Sequence, residues 1–202
     1  MRRLALLVLL LCTVCAGSAG ANAFGQFIPA SPLRGENNMF GVYMLFNSDV
    51  GVLGQARFSS GPKFDWGLQV GFAGGDETAV LLGGDLRPVL HRANDDFPID
   101  LAFDAGLGLS IADHFSIISV VPSIEGSHQF NLEGSDGSLT PYMSIGLNIA
   151  HISVDGGGDD TNSDLNARFG LEWEATRKLG VIGEFGVGDG TSDFILGVNV
   201  PF

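Results

Sequence analysis

The feature that most narrows the fold is a period-two alternation that recurs from Phe40 to the C-terminus. Its clearest instance spans residues 99–112. Ile99, Leu101, Phe103, Ala105, Leu107, Leu109 and Ile111 fall on one side, and Asp100, Ala102, Asp104, Gly106, Gly108 and Ser110 on the other. Successive side chains of a strand point to opposite faces, so this is a strand with one apolar face and one small or polar face. A strand buried on both faces would read as a continuous apolar run. The split returns in Phe40, Val42, Met44 and Phe46, and in Val50, Val52, Ala56 and Phe58 opposite Gln55 and Arg57. It returns again in Phe64, Trp66, Leu68, Val70 and Phe72, in Val80, Leu82 and Leu86, in Met143 to Ile149, and in Leu165 to Trp173. With segments near 179–187 and 193–202, the pattern predicts about ten antiparallel strands of roughly 9 to 11 residues, eight to twelve being compatible. Pro122 predicts a bulge or break between Phe115 and Phe130, and the longest connection is expected at 155–164.

The first residues carry a different message. Arg2 and Arg3 precede an apolar run over 4–11, and Ala21-Asn22-Ala23 supplies the small-x-small pattern of a cleavage site. This predicts a signal peptide over 1–23, because the apolar run is shorter than the ~20 residues a membrane helix needs. Cys12 follows Leu11, where lipoprotein cleavage needs a small residue, and both cysteines, Cys12 and Cys15, leave with the signal. The mature chain then has no thiol or disulfide. Residues 24–38, with Pro29 and Pro32, read as an irregular periplasmic lead-in, and 39–202 as the barrel.

A formal charge of −13 excludes nucleic acid as a partner. Charged residues are only 16% against 45% hydrophobic, and Lys63 and Lys178 are the only lysines. A water-facing surface needs more charge than that. Alternation alone fits two opposite barrels: a soluble one with its apolar face inward, or a membrane one with that face in lipid. The apolar rows hold too many large residues for a small lumen, and the opposite rows are mostly Gly, Ala, Ser, Asp and Asn. The expected fold is therefore all-β, an up-and-down antiparallel transmembrane β-barrel.

The chain ends Asp193-Phe194-Ile195-Leu196-Gly197-Val198-Asn199-Val200-Pro201-Phe202. This resembles the C-terminal strand of bacterial outer-membrane β-barrel proteins. The resemblance implies an outer-membrane location, with outer-membrane lipid, periplasmic chaperones and the barrel-assembly machinery as partners and Phe202 as the assembly signal. Pro201 departs from the pattern by removing a ladder donor. With both termini periplasmic, the turns near 47–51, 74–78, 112–114, 155–164 and 188–193 lie outside the cell.

Candidate site residues fall on the inward rows: Arg57, Arg87 and Arg168 among Asp65, Asp85, Asp100, Asp104, Glu172, Glu174 and Glu184. They predict either a cation-preferring passage or a paired network that fills a narrow lumen, the second being favoured at this strand number. Asp160-x-Asn162-x-Asp164 echoes the start of a calcium loop without its Gly or distant Glu, and is expected to be a solvated turn. His151-Ile152-Ser153 resembles the His-x-Ser pair of outer-membrane lipid A deacylases, which implies a hydroxyl activated by an imidazole on the barrel exterior. Asp164 would be the third member only if its loop folds back. His114-Phe115-Ser116 repeats the spacing, so interfacial polar residues at a strand end are the expectation. No cofactor or metal motif is present. The leading functional expectation is a non-enzymatic barrel, structural and surface-exposed or a narrow passive channel for small polar solutes. The alternatives are a lipid-modifying enzyme and a secreted barrel that binds an apolar ligand.

Overall fold

The computed structural model describes residues 29–202 apart from 31–32, 34–37, 48–49, 76–77, 133–136, 177 and 189–190. The expected signal peptide and residues 24–28 lie outside the described residues. The strands are β1 (Met39–Phe46), β2 (Val50–Ser59), β3 (Phe64–Gly74), β4 (Thr78–His91), β5 (Asp100–Ile111) and β6 (Phe115–Ser127). They continue with β7 (Phe130–Asn131), β8 (Ser138–Val154), β9 (Asp159–Thr176), β10 (Leu179–Gly188) and β11 (Thr191–Pro201). Ten long strands pair antiparallel in chain order, and β7 is a two-residue ladder on the start of β8. β1 pairs β11 from Met39↔Pro201 to Phe46↔Phe194, which closes the sheet into an up-and-down barrel.

The register fixes the barrel's width. Paired residues run from Ser138 through Glu174, Gly180, Asn199, Gly41, Gln55, Gln69, Gly83, Gly108 and Ser119, and return to β8 at Ala150, twelve residues beyond the start. Ten strands with a stagger of twelve tilt by about 40° and give a backbone radius of about 10 Å. A lumen of that size is filled by side chains.

The apolar rows face out. Leu68, Val70, Leu86, Leu107 and Ile145 are each more than half exposed, while their inward neighbours are buried. Aromatic rings stand at both ends of this belt. Near Phe202, Phe58 stacks on Trp66 at 4.5 Å and meets Phe202 edge-on at 6.4 Å; at the other end Phe46 lies 6.3 Å from Phe194. Eight residues of tilted strand separate Phe194 from Phe202, about 20 Å along the axis, close to the apolar band of a membrane barrel.

Two local expectations are corrected. Pro122 does not break its strand: β6 is continuous, and Pro122 pairs with Ala105 of β5. On the other side the ladder to β8 skips from Val120↔Ile149 to Ser123↔Gly146, so the missing donor falls in a gap. The expected long loop at 155–164 is mostly hairpin. Asp159 to Asp164 pair with Ser153 to Asn148, leaving a turn at 155–158 in which Gly156 has φ 73°. That left-handed conformation is the reason for glycine there. β8 and β9, of 17 and 18 residues, are accordingly longer than the alternation suggested.

Candidate functional site in the barrel lumen

Register turns the inward charges into a network. Asp65 of β3 sits directly opposite Arg87 of β4, and receives Nε and Nη2 of that guanidinium at 3.0 and 2.8 Å. Arg57 of β2 spans two strands, bonding Asp65 and Asp85. It can do so because Gly67 lies between them: Arg57↔Gly67↔Asp85 is one row of the sheet. A Cβ on Gly67 would stand 2.6 Å from Asp85 Oδ1 and 3.3 Å from Arg57 Nη2. The same arrangement recurs across the barrel. Arg168↔Gly186↔Asp193 is a row, and Arg168 passes over Gly186 to bond Asp193 Oδ2 at 2.9 Å. Arg168 also donates to Glu184 at 2.7 Å, and Tyr142 gives its hydroxyl to the other oxygen of Glu184 at 2.6 Å.

Three further residues were not singled out in the sequence. Glu125 is fully buried and accepts Arg87 Nη1 at 3.5 Å. Its alternation was hidden by Pro122. Asp193 was read only as the junction between an outer turn and the apolar last strand. Pro29, from the expected lead-in, is buried and takes Arg87 Nη1 on its carbonyl at 2.6 Å, with Ala30 fully buried beside it in sequence. The chain before β1 therefore enters the bottom of the lumen at this point.

The remaining expected residues lie toward the edges of the network. Glu172 accepts Asn199 Nδ2 at 3.1 Å, and Asn199 Oδ1 takes the Tyr43 hydroxyl at 2.6 Å. Glu174 receives Ser138 Oγ at 2.5 Å. Asp100, partly buried at the start of β5, accepts the backbone N–H of Ala93 at 2.8 Å and fastens the 92–99 connection. Asp104 is 3% exposed and shares the inward face with Asp85, which pairs with Gly106 two residues along β5. Phe202 exchanges two backbone hydrogen bonds with Asn38, at 2.9 and 3.2 Å.

Alongside the charges is an apolar layer. Tyr43, Leu45, Leu53, Ala79, Leu81, Tyr142, Ile182 and Ile195 form one buried cluster, joined by Ala73 and Ala112 next to the turns at the end away from Phe202. Of these inward Leu and Ile only Leu81, in the row of Gly83, Asp85 and Arg87, was legible in the sequence, because a row of small and polar residues hides a few large ones. Between the two layers the lumen keeps a cavity of about 30 Å³, lined by Gln69, Asp85, Asp104, Ser123, Ser144, Asn166 and Arg168 among others. That is room for about one or two waters or a single ion.

His151 and Ser153 do share an outer row, and His151 is exposed. The imidazole Nδ1 lies 3.0 Å from Thr161 Oγ1, its directly paired neighbour on β9. Asp164 pairs with Asn148, which is an odd number of residues from His151 and so on the opposite face of the sheet. The fold-back that would make Asp164 a third member therefore does not occur. The Asp160-x-Asn162-x-Asp164 set is strand rather than loop, and among the described residues no group of three or more acidic, His or Cys side chains is placed to hold a metal.

A closed ten-stranded barrel with charge inside, an apolar belt outside and aromatic rings at both rims has the architecture of a transmembrane β-barrel. No family model and no curated protein matches the sequence. Among solved structures the chain is similar to the KdgM porin, with a TM-score of 0.45 and 11% identity over 81% of this chain and 99% of that one. It is also similar to the N-terminal β-barrel domain of Pseudomonas aeruginosa OprF (TM-score 0.40, 10% identity, 83% and 98% covered) and to Acinetobacter baumannii Omp33 (0.42, 8%, 83% and 98%).

Proposed function

We propose that this chain is a non-enzymatic outer-membrane barrel with a sealed lumen, which anchors and presents its outer turns and the β8–β9 hairpin at the cell surface. The observation that carries this reading is the burial of Arg57, Arg87 and Arg168 in ion pairs that span the lumen, backed by the apolar layer. Removing one partner of a buried pair costs about 3–5 kcal/mol, so the network does not part thermally to admit a solute. The apolar layer is a second seal in series. In this reading Phe202 is presented to the assembly machinery before β11 closes on β1.

Conductance across planar bilayers tests the proposal. Wild type is expected to be silent, and Arg168→Ala to stay silent because the apolar layer still blocks the lumen. Discrete conductance steps from wild type would overturn the sealed-barrel reading in favour of a narrow channel. Incubation with lipid A tests the non-enzymatic part: no deacylated product is expected, and hydrolysis abolished by His151→Ala would refute it.

A further inference from the structure

We propose that the lumen holds a small, hard divalent cation between the carboxylates of Asp85 and Asp104. Asp104 is 3% exposed and its Oδ2 has no hydrogen-bond partner among the described residues. Asp85 gives one oxygen to Arg57, while its Oδ1 is buried and equally unpartnered. The two carboxyl groups stand on the inward face of adjacent strands, Asp85 pairing with Gly106 two residues from Asp104, and line the same cavity. Two buried carboxylates facing each other repel unless a positive charge lies between them. The arginines nearby are committed: Arg57 to Asp65 and Asp85, Arg87 to Asp65 and Glu125, Arg168 to Glu184 and Asp193. Those three arginines face six carboxylates, Asp65, Asp85, Asp104, Glu125, Glu184 and Asp193, so the lumen carries an excess of negative charge that a divalent ion would reduce.

The lining supplies suitable donors. Gln69, Ser123, Ser144 and Asn166 add amide and hydroxyl oxygens to the two carboxylates, an all-oxygen set of the kind calcium takes. The cavity of about 30 Å³ suits one ion. Its space comes from Gly106 and Gly108, which follow Asp104 on the inward row of β5 and also line it. Packing alone does not demand glycine at 106: a Cβ there would meet Val121 O at 3.6 Å and Asp104 Oδ1 at 3.8 Å, ordinary contacts. A larger side chain at 106 would fill the site while leaving both carboxylates in the chain.

The test is thermal unfolding of the full barrel, refolded in detergent and stripped with chelator, with calcium chloride as the probe. Calcium is expected to raise the midpoint by several degrees, and sodium chloride at equal ionic strength to leave it unchanged. Asp104→Asn should abolish the calcium shift and, without calcium, melt at or above wild type because the repulsion is gone. Gly106→Val keeps both carboxylates and should also lose the shift, which guards against an Asp104 variant that fails to fold. No calcium shift in wild type would overturn the proposal, as would a full shift in folded Asp104→Asn. Stabilisation by acid alone, with no calcium response, would also overturn it and assign the pair a shared proton. Melting reads this site and conductance reads the seal, so failure here leaves the sealed-barrel reading intact.

Discussion

At the scale of single residues, the lumen depends on glycines that carry no side chain so that a neighbour's can cross. Arg57 reaches Asp85 over Gly67, and Arg168 reaches Asp193 over Gly186. Gly67→Ala puts a methyl against Asp85 and the Arg57 guanidinium, both held in a filled interior. The expected cost is about 2–4 kcal/mol, since the pair must part or shift while remaining buried. Gly183→Ala is the matched control, because its Cβ meets only Leu196 Cδ2 at 3.7 Å and should change stability by less than about 1 kcal/mol. Urea unfolding in detergent distinguishes the two, and equal stability of both variants would refute the role given to Gly67. The inward placement of Arg57, Asp85, Arg168 and Glu184 was legible from alternation alone. Which glycine each arginine crosses was not, because that depends on registers between strands, and one strand's sequence carries no record of its neighbours' offset.

At the scale of elements, the seam between β1 and β11 explains why Pro201 is tolerated. Asn38 and Phe202 exchange N–H···O bonds, so in an antiparallel ladder Met39↔Pro201 is a non-bonded pair and Phe40↔Val200 a bonded one. The nitrogen of Pro201 points toward β10, whose ladder to β11 begins only at Gly180↔Asn199. No donor is needed there. Pro201→Val should therefore leave folding unchanged, whereas Val200→Pro removes a closing bond and should cost about 3 kcal/mol or more. The fraction migrating as folded barrel on unheated gels reads this, and equal effects would show the seam is not as described. The β8–β9 hairpin makes a different point. β9 pairs β10 only from Asn166 onward, which leaves the 159–165 stretch paired on its β8 side alone among the described residues. Asp159, Asp160 and Asp164 lie along it, and charge on a strand edge discourages pairing with another copy. Asp160→Thr combined with Asp164→Thr should raise the dimer fraction in sedimentation velocity; an unchanged monomer would argue against this role. Aspartates suggested a loop from sequence because they disfavour strands on average. Pairing with Ser153 to Asn148 overrode that preference.

For the whole molecule, the decisive contrast is between outside and inside. Val198 stands four residues from both Phe194 and Phe202, midway along the outward row of β11, and is 40% exposed. Val50 is more exposed, at 57%, but starts β2 at the end of the ladder, paired with Phe46, the last residue of β1. In water both would be surface valines, and arginine at either would change stability by only about 0.5 kcal/mol. In a bilayer the two differ. Arginine near the midplane costs about 2–4 kcal/mol, and near the interface about 0–1 kcal/mol, because the guanidinium loses its hydration only at depth. Folding into lipid vesicles, followed by urea titration, should therefore place Val198→Arg about 2–4 kcal/mol below wild type and Val50→Arg within about 1 kcal/mol of it. The size of the gap between the two separates lipid from water, because two surface valines of a soluble barrel would both stay within about 0.5 kcal/mol of wild type. Equal and small effects at both positions would mean that water, not lipid, faces the apolar rows, and the assignment of this barrel to a membrane would fail with them.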